Sequence, residues 1–207
     1  MRQAYGLGEL LESQVDPDPI VQFRTWLAQA TEAGLPEPNA MVLATADADG
    51  RPSARTVLLK GLDERGFVFF TNQQSRKADD LAANPYCALV FPWHAMERQV
   101  RVEGTVSKVP TEEVDAYFAS RPRGSQLGAW ASQQSQPVQS REELDLQYAS
   151  YERQWPEGTE ISAPYFWGGY RVRPEAFEFW QGRTGRLHDR LAYYRADDAW
   201  RLVRLQP

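Results

Sequence analysis

A chain of 207 residues with a formal net charge of −5 is long enough to bury one sizeable core and too acidic for a general nucleic-acid binder, although its Arg and Lys can still converge locally on an anionic ligand. The single cysteine, Cys87, excludes an intrachain disulfide; no apolar run has the length of a membrane span or the make-up of a signal peptide, so the cytoplasm is the expected location. Seven Trp and nine each of Tyr and Phe fill a core or build flat surfaces for a flat ligand; composition favours the first and leaves the second open.

Residues 1–17 are polar and read as an N-terminal arm ahead of a single domain over 18–207. Asp18 caps a helix with Pro19 in its first position, and Ile20, Phe23, Trp26, Leu27 and Ala30 recur at helical spacing until Gly34 and Pro36. Met41 to Thr45 and Ser53 to Lys60 flank the turn Asp47-Ala48-Asp49-Gly50 as a hairpin. Gly61 to Gly66 reads as a second turn, followed by a strand from Phe67 to Asn72 and a short helix from Ser75 through Leu81. Tyr86 to Trp93 and Arg98 to Val109 are strands; in the latter Val100, Val102 and Val106 share one face. Thr111 caps a helix to about Ser120, and Gln126 to Gln134 and Arg141 to Gln154 are also helical. Three final strands run over Tyr170 to Gln181, Arg186 to Arg195 and Trp200 to Leu205. Hairpin-linked strands with helices gathered between them predict an α+β, mostly antiparallel fold, as an open sheet or a closed barrel. No strand, Gly-rich loop and helix follow one another as a Rossmann or P-loop unit would require.

Four polar clusters interrupt this framework. Arg55 and Lys60 bracket an apolar strand, either as solvated strand-end cations or as ligand contacts. Phe70, Thr71, Ser75, Arg76 and Lys77 bring two cations to a helix N-terminus, where cations are unfavourable unless an anion binds. Tyr117 and Arg121 are four apart on a helix face and Ser125 is placed to cap the next helix; a phosphate site and a plain surface arginine with an ordinary cap are equally good readings. Arg186, His188 and Arg190 alternate with Leu187 and Asp189 and would share a strand face, an arrangement that calls for an anion or an electron-rich ring. His94 and His188 lie far apart and no metal spacing exists, so no metal is expected.

The strings RTVLLK at 55–60, FFTN at 69–72, SRKADDL at 75–81, FPWHAMERQVRVEG at 91–104, YFASRPRGSQLGAWASQQS at 117–135 and FWQGRTGRLHDR at 179–190 resemble the pyridoxine/pyridoxamine 5'-phosphate oxidase family, from about Asp18 to Pro207. The resemblance implies an FMN-binding split β-barrel with flanking helices and a homodimer holding FMN at the subunit interface. It implies that Arg55, Lys60, Phe70, Thr71, Arg76, Lys77 and Gln99 bind FMN from one subunit, and Gln134, Ser135, Trp180 and Arg190 from the other. Lys60, Tyr117, Arg121 and Ser125 would hold the substrate phosphate; Arg186 and His188 would lie over the pyridine ring as the catalytic pair; Arg2 and Tyr5 would close over the substrate. Gln3 departs from the family pattern, which carries a second arginine there. The implied reaction takes pyridoxamine or pyridoxine 5'-phosphate to pyridoxal 5'-phosphate, with a hydride equivalent passing from C4' to flavin N5 and O2 reoxidising the flavin to give H2O2. Phenazine-pathway oxidases and deazaflavin-dependent reductases share the fold; the intact set Lys60, Tyr117, Arg121, Ser125, Arg186 and His188 argues against them.

Overall fold

The computed structural model describes residues 5–197 and 199–207. Helix α1 (Pro19–Glu32) starts as its cap requires: the Asp18 carboxylate accepts the Ile20 N–H at 2.8 Å. Its buried stripe includes Ile20, Phe23, Trp26 and Ala30. Strands β1 (Ala40–Ala46) and β2 (Pro52–Leu58) form the expected hairpin. The span from Gly61 to Gly66 is not all turn. Gly61–Asp63 is a short strand, β3, because the Lys60 N–H reaches Val68 O at 2.8 Å and the chain goes on pairing with β4 (Gly66–Asn72).

Helix α2 (Arg76–Ala83), β5 (Tyr86–Trp93) and β6 (Arg98–Lys108) follow. Helix α3 (Thr111–Ala119) is capped by Pro110, not Thr111, which is already inside it. Helix α4 (Arg123–Ala131) begins straight after Pro122 and ends earlier than its apolar pattern suggests, so Ser125 sits in its first turn and caps nothing. Helix α5 (Arg141–Gln154) is capped by Ser140, whose hydroxyl accepts the Glu143 N–H. Strands β7 (Trp167–Gln181), β8 (Asp189–Ala196) and β9 (Ala199–Leu205) complete the chain. Strand β8 starts later than the alternation suggested: Thr184–Arg186 is a 3₁₀ turn in which Gly185 has φ +66 and Arg186 φ +64.

All strand pairs are antiparallel, in the order β2-β1-β5-β6-β7-β4-β3, with β8 beside β7 and β9 beside β8. Since β2 runs almost directly into β3 at the opposite end of that order, the sheet curls into a barrel split along the free edge of β2. Strand β7 changes partner midway, from β4 over residues 167–172 to β8 over residues 176–181. The bend is made by a register shift between Glu103 and Gly104, where a Cβ on Gly104 would fall 2.0 Å from the Arg173 carbonyl oxygen.

Aromatic rings fill the interior. Phe23 of α1 packs edge-on against Phe67 and Phe91 at 4.9 and 4.7 Å, with Phe177, Phe179 and Tyr193 completing the wall. Cys87 belongs to this core, and burial pushes its thiol up to about 12. Arg171 of β7, 8% exposed, pairs with Asp63 of β3 at 2.8 Å and Glu113 of α3 at 2.9 Å, fixing α3 to the barrel. No helix among the described residues is long and apolar enough to cross a membrane.

Candidate active site

A cleft of about 540 Å³ opens along the split of the barrel. Four consecutive residues of β2, Arg55–Leu58, line one side, with Lys60 beyond them. Phe70 and Thr71 at the end of β4, Arg76 and Lys77 in the first turn of α2, Tyr117 and Arg121 from α3 and its end, Gln134 and Ser135 after α4, and Trp167 from β7 supply the rest. Five cations line it and no carboxylate does, in a chain whose net charge is −5. The cleft is therefore a local positive field over the N–H groups that open α2, a setting whose chemistry suits an anion.

The cations are held from behind. Arg55 donates to Thr45 Oγ1 at 2.7 Å and Ser53 Oγ at 2.5 Å, and its guanidinium lies 3.6 Å from Asp80 Oδ2. Asp80, 5% exposed, also accepts hydrogen bonds from Thr45 and Ser53; despite the opposing effect of burial, these and the nearby Arg55 and Arg76 hold its carboxyl below the usual range. The buried Lys77 ammonium donates to Thr71, Ser75 and Gln134 at 3.1, 3.0 and 2.5 Å. Burial, then the neighbouring Arg55, lowers its pKa to about 8.

On the far wall Tyr117 stacks on Phe70, with ring centroids 4.0 Å apart and 12° between planes. Arg121 lies 4.2 Å over the Trp167 ring, and its Nη1 has no hydrogen-bond partner. Burial lowers its pKa, an imbalance that a bound anion would reverse.

Of the residues expected at the site, the chain itself gathers Arg55, Lys60, Phe70, Thr71, Arg76, Lys77, Tyr117, Arg121, Gln134 and Ser135 around the cleft. Gln134 and Ser135 stand with the Arg55 and Lys77 set of their own chain, not apart from it as the family resemblance implied. Ser125 is exposed and does not line the cleft.

Gln99, Trp180 and Arg190 lie elsewhere, side by side across β6, β7 and β8 on the outward face. Gln99 thus groups with Trp180, not with Arg55. Arg190 is engaged by Glu178 at 2.7 Å and by the Gln206 carbonyl at 2.9 Å; the hydrogen bond to Glu178 raises its pKa. His188 packs on Trp180, with ring centroids 4.6 Å apart, and its Nδ1 accepts the Arg183 N–H at 3.1 Å, which leaves the proton of the neutral ring on Nε2. Tyr5 completes this aromatic group, edge-on to both rings at 5.9 and 5.6 Å. Arg186 and Leu187 are exposed, and among the described residues Arg186 makes no hydrogen bond or ion pair. Arg186 and His188 precede β8 and do not share a strand face with Arg190. Arg2 lies outside the described residues.

Three participants went unmarked by the sequence pattern. Trp167 under Arg121 comes from a strand distant in sequence, and Thr45 behind Arg55 from β1, the hairpin partner of β2. Asp80 had a visible signal: it lies on the α2 face that carries Lys77 and Leu81, a carboxylate where an apolar residue belongs. Among the described residues no group of His, Cys, Asp and Glu is gathered as for a metal ion.

Residues 27–154 match the model of the family described as pyridoxamine 5'-phosphate oxidase, and residues 167–207 match the pyridoxine 5'-phosphate oxidase C-terminal dimerisation region. The chain is 63% identical over 207 residues to the pyridoxine/pyridoxamine 5'-phosphate oxidase of Rubrobacter xylanophilus, covering 100% of this chain and 95% of that one. The crystal structure of PhzG from Burkholderia lata 383, in complex with tetrahydrophenazine-1-carboxylic acid, superposes with a TM-score of 0.90 at 31% identity, over 98% of this chain and 100% of PhzG. A pyridoxamine 5'-phosphate oxidase-related, FMN binding protein from Nostoc punctiforme shares the fold, with a TM-score of 0.72 at 18% identity over 89% of this chain and 97% of its own.

Proposed function

The chain belongs to the pyridoxamine 5'-phosphate oxidase family, and from that premise we propose that it is an FMN-dependent oxidase that makes pyridoxal 5'-phosphate from pyridoxamine or pyridoxine 5'-phosphate. The observation that carries the reading is the cleft itself: five cations and no acid, over the start of α2. A flavin with a phosphate tail and a phosphorylated pyridine both fit that chemistry, and the Arg121 Nη1 without a partner marks a position an anionic oxygen would satisfy. Arg55, Arg76, Lys77 and the N–H groups opening α2 would hold the FMN phosphate, with Phe70, Thr71, Gln134 and Ser135 lining the same cleft. Lys60, Tyr117 and Arg121 hold the phosphate of the substrate. FMN, when bound, supplies the acceptor for the two electrons that leave the substrate C4' carbon, and O2 takes them on.

The second half of the site comes from a second copy. The outward faces of β1 and β5 carry Val42, Ala44, Ala88 and Val90, none of them fully covered within the chain. That apolar face continues through Pro92 into the row Gln99, Trp180 and Arg190, and on its other side through Ala54 and Thr56 to the cleft edge. A two-fold contact through it sets the cleft of one copy against the row of the other, consistent with a homodimer of the kind the matched dimerisation region denotes. Arg186 would then lay its planar guanidinium on the substrate ring, and His188 would donate its Nε2–H as a hydrogen bond to the substrate.

The test is direct. Purified protein should hold one flavin per chain and, given pyridoxamine 5'-phosphate in air, release pyridoxal 5'-phosphate, ammonia and peroxide in equal amounts. Pyridoxamine without its phosphate should bind far more weakly. A preparation that takes up no flavin, or that oxidises a tricyclic carboxylate and not the B6 phosphate, would overturn the proposal.

A further inference from the structure

We infer that Glu97 is a positioning residue: it pins the tip of the N-terminal arm so that Tyr5 stands against Trp180 and His188 at the substrate end of the site. The inference rests on the oxidase reading above.

Glu97 closes the turn between β5 and β6 in a left-handed conformation, φ 54 and ψ 35. Its Oε2 accepts two successive backbone N–H groups of the arm, Gly6 at 2.8 Å and Leu7 at 3.0 Å. Its own carbonyl accepts the Gly182 N–H at 2.7 Å and the Gln181 side-chain amide at 3.3 Å. One residue thus joins the arm, the β5–β6 turn and the start of the loop that carries Arg186 and His188. The junction is tight: a Cβ on Gly182 would lie 2.9 Å from the Tyr5 ring and 3.0 Å from Glu97 Cβ, so a glycine is needed for arm and turn to meet.

Other contacts hold the arm further along. Leu10 N–H reaches Asp189 at 3.0 Å, Arg183 pairs with Glu9 at 3.2 Å, and Arg204 with Glu12 at 2.8 Å. None of them fixes the tip. Leu7 is 70% exposed, so burial of its side chain adds nothing to the contacts of Tyr5. Gly6 and Gly8 give the segment wide backbone freedom, and a carboxylate gripping two adjacent N–H groups is what removes that freedom. With the tip fixed, Tyr5 bounds the space beside His188 before substrate arrives, and its ordering cost is not drawn from substrate binding.

The experiment compares Glu97→Ala and Glu97→Gln in the flavin-loaded protein. Glu97→Ala should raise KM for pyridoxamine 5'-phosphate about tenfold, the scale of two charge-assisted hydrogen bonds in a partly exposed site, while flavin content and Tm stay as in the parent. Glu97→Gln keeps an acceptor oxygen and should stay within about threefold. Chymotrypsin should cut after Tyr5 or Leu7 faster in Glu97→Ala than in the parent or in Glu97→Gln. A chain starting at residue 8 should show the raised KM already, and adding Glu97→Ala to it should change nothing more. An unchanged KM in Glu97→Ala, or a further rise in the shortened chain, overturns the inference. If the parent holds no flavin, the oxidase reading fails, and equal chymotrypsin rates in parent and variant would separately sink the tether.

Discussion

The cationic cleft and the loop from Gly182 to Asp189 differ in how much of their own structure they supply. In the cleft, Lys77 has three hydrogen-bond acceptors and Arg55 is backed by Asp80 and two hydroxyls. The loop leaves Arg186 at φ +64 and exposed, and Leu187 74% exposed. A non-glycine residue in the left-handed region persists where its surroundings or its function hold it there. The cationic half is thus finished within one chain, whereas the half proposed to touch the reacting carbon would be finished by association.

The sharpest way to break that contrast is to prevent association. Val42→Glu puts a carboxylate on the outward face between Val90 and Thr56, and a two-fold interface would bury it twice. Sedimentation should show a monomer at micromolar concentration, with oxidase activity down by more than about a hundredfold and the fold intact by circular dichroism. A dimer of full activity would mean that this face is not the interface. Next in size, Arg186→Lys keeps the charge and loses the plane; kcat should drop roughly a hundredfold while flavin retention holds. Equal losses in both would move Arg186 out of the catalytic half and into the cofactor half.

How far the sequence carries this contrast depends on the range of the forces involved. Helix α1 was legible because its cap, Asp18, acts within two residues, and α5 was read over the bounds it has, without its Ser140 cap. The hairpin of β1 and β2 was legible from its turn chemistry and antiparallel pairing from the hairpin-linked strands, while the split barrel came from the family resemblance. Ser125 was misplaced because Pro122, following the end of one helix, itself opens the next. Arg186, His188 and Arg190 alternate as a strand would, yet Gly185 and Arg186 turn the backbone left-handed first, and a period of two says nothing about that. The site residues were named from family resemblance, but which of them share one chain was not legible. Gln134 meets Lys77 across 57 residues of sequence, and Gln99 meets Trp180 only through the register of β6 and β7.

Within the cleft, Arg121→Ala separates the two phosphates. It removes a charged donor from the proposed substrate anchor and should raise KM for pyridoxamine 5'-phosphate about thirtyfold, the equivalent of about 2 kcal/mol, with kcat and flavin content little changed. If flavin is lost instead, Arg121 belongs to the cofactor phosphate and the assignment of Lys60 and Tyr117 moves with it.

Lys77 gives the smallest effect and the most specific sign. Burial, with Arg55 beside it, brings its pKa from the usual 10.5 to about 8, so in the flavin-free protein it is largely neutral above that pH. The unfolded chain keeps this proton to about 10.5; folding therefore releases it between the two values, and the flavin-free protein gains stability as pH rises from about 8 to 10.5. Flavin binding runs the other way. It needs the ammonium, and a phosphate monoester, with its second pKa at about 6, is already doubly charged there and changes no further. The dissociation constant should hold below about pH 8 and then climb, by at most about tenfold per pH unit for one proton. Lys77→Ala should weaken flavin binding about tenfold at pH 7 and flatten both curves, as read by flavin fluorescence titration and thermal melts. A parent whose flavin affinity ignores pH between 7 and 10 would show that Lys77 does not face the phosphate, and that the half of the site finished within the chain owes its anion affinity to Arg55, Arg76 and the start of α2.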